Sequence, residues 1–130
     1  MVIVDTSIWI DFFQNPAAAC NQKLENLIRD NNKAAICGII LQEILQGIKD
    51  NRSYMLTKQR LSRLPFINTD KEIYLFASSL YRTLRQKGIT VTPVDVTIAA
   101  IAIKNEMAIF TNDSHFKDIE KYSNLKLYSP

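Results

Sequence analysis

Brief apolar segments that stop at an acid constrain this chain more than any other feature of it. Val2 to Val4 runs straight into Asp5, and Met107 to Phe110 runs into Thr111-Asn112-Asp113. Such runs are too short for helices and read as strands buried on both faces, the kind found in parallel sheets. Ala34 to Cys37 is a third run of this type, and Ile89 to Val91 and Leu125 to Tyr128 are expected as further short strands. Helical patterns fill the spaces between them. Ser7 can cap a short helix through Phe13, which Asn15-Pro16 ends; Ala18 to Arg29 carries Leu24, Leu27 and Ile28 on one face, and Asn31-Asn32 closes it. Further helices are predicted from Gly38 through Gly47, from Arg52 to Leu64 before Pro65, from Lys71 to Lys87 before Gly88, and from Ser114 to Lys121. Thr92-Pro93 starts another, with Thr as cap and Pro at the first helical position. The run that follows, Val94 to Ile103, is apolar nearly all round and so must be buried.

Strands alternating with helices imply an α/β fold, a layered α/β/α sandwich around a short, mostly parallel sheet. With 130 residues the chain is expected to form a single domain spanning 1–130. A composition of 47% hydrophobic and 22% charged residues supports a core and excludes a disordered chain. No apolar run approaches the roughly 18 residues that cross a bilayer, and the start of the chain lacks the basic leader of a signal peptide. A cytoplasmic protein with no membrane partner is therefore expected. Cys20 and Cys37 have no partners at zinc spacing and should stay reduced, Cys37 as part of the core.

Net charge is +3, which permits a polyanionic partner without requiring one. Its distribution says more. Lys49, Arg52, Lys58, Arg60 and Arg63 stand against Asp50 alone, and Arg82, Arg85 and Lys87 form a second group. Each group reads either as a solvated helix face or as a phosphate-binding surface.

In open parallel sheets, sites form just beyond the carboxyl ends of the strands, where Asp5 and Asp113 fall. Taken singly, each acid has a structural reading. Asp5 can be a turn or cap residue, Asp113 can cap the helix at Ser114, and Thr92-x-x-Asp95 has the form of a capping box. Glu43 lies roughly 130° from the centre of the apolar face formed by Ile40, Leu41, Ile44, Leu45 and Ile48, as a solvated glutamate would. Asp95, however, shares a face with Ile98, Ala99 and Ala102, where a carboxylate needs a partner. Acids brought about 4 Å apart repel by roughly 4 kcal/mol per pair at an effective dielectric of about 20. Convergence would therefore demand a cation or protonation. An all-oxygen set suits Mg²⁺ or Mn²⁺, and there are no clustered His or Cys ligands for Zn²⁺.

The segments that hold these acids resemble a known family. Val4-Asp5-Thr6-Ser7-x-Trp9-Ile10-Asp11, Leu41-Gln42-Glu43-Ile44-Leu45-Gln46-Gly47, Pro93-Val94-Asp95-x-x-Ile98-Ala99 and Thr111-Asn112-Asp113-x-His115-Phe116 together resemble PIN domains, and most closely the VapC-type toxins of bacterial toxin-antitoxin pairs. The resemblance spans nearly the full chain. It implies a PIN-like, Rossmann-like sheet with the acids at its carboxyl edge, and metal binding by Asp5, Asp95 and Asp113, with Glu43 as ligand or close support. Thr6, Ser7 and Thr111 match polar positions that orient the acids, or else simply make turn hydrogen bonds. The same resemblance implies an RNA substrate, transfer or ribosomal, together with an antitoxin of the VapB type whose tail lies across the site, and a homodimer.

The residues also narrow the chemistry. Cleavage by the RNA's own 2′-hydroxyl usually wants two acid-base groups such as paired histidines, and His115 is the sole histidine. Water activated by a divalent ion, with a second ion about 3.5 to 4 Å away steadying the leaving oxygen, needs carboxylates instead. In that scheme Asp5 and Asp95 are primary ligands, Asp113 supports a second ion or the water, and Glu43 positions or deprotonates the water. Arg52, Lys58, Arg60, Arg63, Arg82 and Arg85 would hold the phosphate backbone. His115 is expected to steady its helix start or touch substrate, and Trp9, Phe12 and Phe13 to pack. Two rivals share strand-end acids: a Mg²⁺-binding phosphoacceptor receiver domain and a 5′-nuclease acting on DNA. The first fits less well, since it wants adjacent acids after the first strand and a lysine after a late one, which Val4-Asp5 and Thr111-Asn112-Asp113 do not offer.

Overall fold

A computed structural model describes residues 1–30 and 33–129. The proposed helix stop at Asn31-Asn32 lies outside the described residues. Along the chain the elements are β1 (Val2–Val4), α1 (Thr6–Gln14), α2 (Cys20–Arg29), β2 (Ala34–Cys37), α3 (Gly38–Gln46), α4 (Asn51–Leu61), β3 (Phe66–Ile67), α5 (Lys71–Gln86), α6 (Pro93–Lys104), β4 (Ala108–Phe110), α7 (His115–Lys121) and β5 (Lys126–Leu127). The strands form a five-stranded sheet in the order β3-β2-β1-β4-β5, and every pairing is parallel. Every residue of β1 and β2 is buried, the reason those runs are apolar without alternation.

Crossovers leave β1 toward β2 and β3 on one side and return toward β4 and β5 on the other. Right-handed connections then place α1–α4 on one face and α5–α7 on the opposite face. The main helix-to-helix contacts fall into these same two sets, giving a three-layer α/β/α sandwich. Helix α6 packs on α5, α7 and β4, and its residues from Val96 and from Ile98 to Ala102 are buried. Trp9 is buried, stacks on Phe13 at 6.0 Å, and donates its indole N–H to the Val4 carbonyl at 3.1 Å, so these aromatics pack as expected. Cys20 and Cys37 are buried and free.

Local expectations need correction at several points. Ile89 to Val91 forms no strand. Gly88 adopts a left-handed φ of 77°, and the Ile89 N–H reaches back to the Leu84 carbonyl at 3.0 Å, so this amide is consumed in closing α5. The strand that completes the edge of the sheet is Phe66–Ile67, whose two residues were too few to register as a pattern beside Pro65. Helix α4 stops at Leu61, short of the expected Leu64, where the Ser62 hydroxyl takes the Lys58 carbonyl at 2.7 Å. Helix α6 ends as α5 does, but with Glu106 at φ 54° in the left-handed position, and the Met107 N–H donates to the Ala102 carbonyl at 2.9 Å. Met107 is thereby held out of β4.

Candidate active site

Strand order reverses direction between β1 and β4, which is where a parallel sheet opens a crevice at its carboxyl edge. Val4 pairs with Phe110, and the Asp5 N–H continues the ladder to the Phe110 carbonyl at 2.9 Å. Asp5 and Thr111 thus leave the sheet side by side, and the Thr111 hydroxyl donates to Asp5 Oδ2 at 2.9 Å. Asp5 sits at the N-cap of α1, yet its side chain makes no capping bond. Its Oδ2 instead also accepts the Ser7 hydroxyl at 2.9 Å. Burial to 6% exposure pushes the Asp5 carboxyl above its usual range, and the hydroxyls of Thr111 and Ser7, with the nearby amides of Thr6 and Ser7, offset part of that rise.

Hydroxyls join this acid to its neighbours. Ser7 Oγ accepts the Asn112 N–H at 3.0 Å, and Thr111 Oγ1 accepts the Asp113 N–H at 2.9 Å, so the loop after β4 is tied to the start of α1. Thr6 donates its hydroxyl to Glu43 Oε1 at 2.9 Å, which draws the middle of α3 toward the end of β1. Glu43 is accordingly half-buried and not simply solvated.

Asp95 enters from the other helical layer. The capping box exists: the Thr92 hydroxyl accepts the Asp95 N–H at 3.1 Å, and Asp95 Oδ2 accepts the Thr92 N–H at 3.3 Å. Only 7% exposed, Asp95 also meets His115 Nδ1 at 3.1 Å through the same oxygen. His115 Nδ1 lies 3.5 Å from Asp113 Oδ1, which in turn accepts the His115 N–H at 2.9 Å in a turn leading into α7. Asp113 therefore does shape the start of α7, as its cap reading proposed. Asp95, Asp113 and His115 each place one possible ligand atom within 4.8 Å of the others. Asp5 and Glu43 stand outside this trio, Asp5 linked to Asp113 through Thr111 and Glu43 linked to the start of α1 through Thr6.

His115 is the residue that sequence reasoning undervalued. Its distance from Asp95 along the chain hides a contact that only the docking of α6 beside α7 creates. Asp11 and Asn112 were likewise not singled out for the site, and the Asn112 side-chain amide donates to Asp11 Oδ2 at 3.1 Å across the crevice rim. The basic residues are dispersed. Arg60 lines a groove with Glu43, Ile10 and Leu56, and Arg82 lies beside Pro93 at the start of α6. Arg63 borders the surface of Trp9 and Phe13, whereas Lys58 and Arg85 occupy the last turns of α4 and α5, where a helix dipole favours cations. Arg52 is exposed in the first turn of α4.

A parallel sheet of order β3-β2-β1-β4-β5 whose switch point is lined with acids is the architecture of the PIN domain. Residues 2–122 match that domain's sequence model, and the chain belongs to the PIN-domain family. It is 30% identical over 132 residues to the ribonuclease VapC11 of Mycobacterium tuberculosis, covering 99% of this chain and 98% of that protein. It is 28% identical to the ribonuclease VapC1 of Methanocaldococcus jannaschii, over 98% of this chain and 86% of that one. Among solved structures, VapBC2 from Rickettsia felis bound to a DNA fragment from their promoter contains a chain that superposes with a TM-score of 0.80 at 26% identity, covering 98% of each chain. DNA-bound VapBC from Salmonella typhimurium matches with a TM-score of 0.79 at 22% identity over 98% of each chain, a likeness of fold.

Proposed function

We propose that this chain is a VapC-type toxin, an endoribonuclease that hydrolyses RNA phosphodiesters at a carboxylate-held Mg²⁺ or Mn²⁺ site and is silenced by a cognate VapB-type antitoxin. The observation that carries this reading is the meeting of Asp95, Asp113 and His115 within 4.8 Å, tied through Thr111 to a buried Asp5. The end-to-end match to proteins named as VapC ribonucleases supports it.

The donor set fits a hard divalent ion. Carboxylate oxygens predominate, and a carboxyl raised by desolvation is one whose charged form gains most from a cation. Asp5, Asp95 and Asp113 would hold the ion, with Glu43 at its edge. A divalent ion held there would lower the pKa of a water and offset charge on the phosphate under attack. The hydroxyls of Ser7 and Thr111 hold Asp5 Oδ2 and so orient the carboxylate. Thr6 occupies Glu43 Oε1, and Glu43 Oε2 is the atom to receive the proton of the attacking water. Arg52, Lys58, Arg60, Arg63, Arg82 and Arg85 are all exposed and supply phosphate contacts that position RNA without reading its sequence. The groove of ≈ 490 Å³ that Glu43 shares with Ile10, Leu56 and Arg60 would seat the antitoxin tail. Exposed Tyr74 and Leu75 on α5 offer an apolar face to a second copy of the chain.

Incubation with total RNA and Mg²⁺ or Mn²⁺ tests the proposal. Cleavage leaving 5′-phosphate and 3′-hydroxyl ends is expected, and it should vanish with chelator and in Asp5→Asn. Ends bearing 2′,3′-cyclic phosphate, or cutting that survives chelation, would reject it. Preference for single-stranded DNA over RNA would transfer the site to DNA hydrolysis.

A further inference from the structure

We propose that His115 Nδ1 is a nitrogen ligand of the ion held by Asp95 and Asp113, and that it biases the site from Mg²⁺ toward Mn²⁺. The inference rests on the metal-centre reading above and adds a donor that the acidic set does not contain. Nδ1, the ring atom turned inward, lies 3.1 Å from Asp95 Oδ2 and 3.5 Å from Asp113 Oδ1. Two ligand atoms about 2.1 Å from an octahedral ion and at right angles to each other stand about 3.0 Å apart. The 3.1 Å spacing from Nδ1 to Asp95 matches neighbouring ligands on one ion, and the 3.5 Å spacing to Asp113 is about half an ångström wider. Nδ1 carries at most one hydrogen, so as a donor it can serve only one of the two carboxylates well. An ion among the three atoms would be shared by both carboxylates and the ring nitrogen at once.

The ring is also held in place before any ion arrives. His115 opens α7, its own N–H donates to Asp113 Oδ1 at 2.9 Å, and the Asp113 N–H is fixed by Thr111 at 2.9 Å. Asp95 is fixed from the other side by its capping box. The side chains therefore converge from two different helices on preset backbones. Mg²⁺ retains water and oxygen ligands, whereas the first-row transition ions accept an imidazole nitrogen with affinity that rises from Mn²⁺ onward. One nitrogen among the oxygens thus discriminates between the two metals.

Because the chain has a single histidine, an imidazole signal can arise from nowhere else in an untagged protein. Pulsed electron paramagnetic resonance of the full chain loaded with Mn²⁺, with and without ¹⁵N-histidine, should show directly bonded imidazole nitrogen. The signal should be missing in His115→Ala and His115→Gln. Calorimetric titration should find Mn²⁺ affinity about tenfold or more weaker in both variants while Mg²⁺ affinity stays within about twofold. Retained Mg²⁺ binding in His115→Gln reports that the site is still folded. Bound Mn²⁺ without imidazole coupling, an unchanged preference between the metals, or tighter Mn²⁺ binding in His115→Ala would overturn the inference and leave the carboxylate site standing. Failure of the unaltered chain to take up either metal would overturn both.

Discussion

Asp5 is an acid in a place that disfavours its charge. Burial holds its carboxyl above the ordinary value of 3.8, so in the folded state it takes a proton more readily than in the unfolded chain. In the metal-free protein the contribution of Asp5 to stability is then lost as pH rises from about 3.8 through the raised folded value, because at this group the native state binds more protons across that window. Asp5→Asn removes the penalty. In chelator at neutral pH the variant should be more stable than the parent, with a flatter pH dependence, and its RNA cleavage should be gone. Thermal melts at several pH values in chelator check this, and a variant less stable than its parent would contradict the assignment. The strand end and the acid were both legible in Val2 to Asp5. What was not legible is that Asp5 would forgo capping α1 and turn to Thr111, far along the chain.

Helix α6 shows two roles on one residue. Its N-terminus was readable from Thr92-Pro93-x-Asp95, and the capping box formed as the spacing predicted. The same carboxylate faces His115, so the cap and the candidate site share one residue. Substitution separates them. Thr92→Ala should cost about 1 kcal/mol of stability while cleavage per folded molecule stays within about threefold. Asp95→Asn keeps an acceptor at the cap, so stability should change by less than about 1 kcal/mol, yet cleavage should fall by at least about a hundredfold. Denaturant unfolding set beside initial cleavage rates distinguishes these outcomes, and equal losses in both variants would mean that Asp95 is a cap alone. Glu43 was harder to read for a related reason. Its position opposite the apolar face of α3 looks solvated in a single helix, and only the packing of α1 on α3 brings the Thr6 hydroxyl to it.

At the scale of the molecule, the candidate site lies where the crossovers diverge on either side of β1, so Asp113 after β4 and Asp95 from α6 come together, and Asp5 at the end of β1 is tied to them through Thr111. An ion that binds this crevice only when it is assembled must stabilise the whole fold, by about 2.7 kcal/mol at a free concentration one hundred times its dissociation constant. Adding Mn²⁺ or Mg²⁺ should therefore raise Tm and chelator should reverse the rise, with Ca²⁺ and monovalent salt as controls for general ionic effects. An unchanged Tm at saturating Mn²⁺ would remove the metal centre. Local chemistry was enough to determine the buried strands, most helix starts, the Gly88 stop and the acids at strand ends, because each depends on neighbours within a few residues of chain. The order of the strands, the short edge strand β3 and the convergence of Asp95, Asp113 and His115 were decided by tertiary packing. They join residues far apart in sequence, and no periodicity or spacing encodes which of them the closing of the sheet and the docking of its helices will bring together.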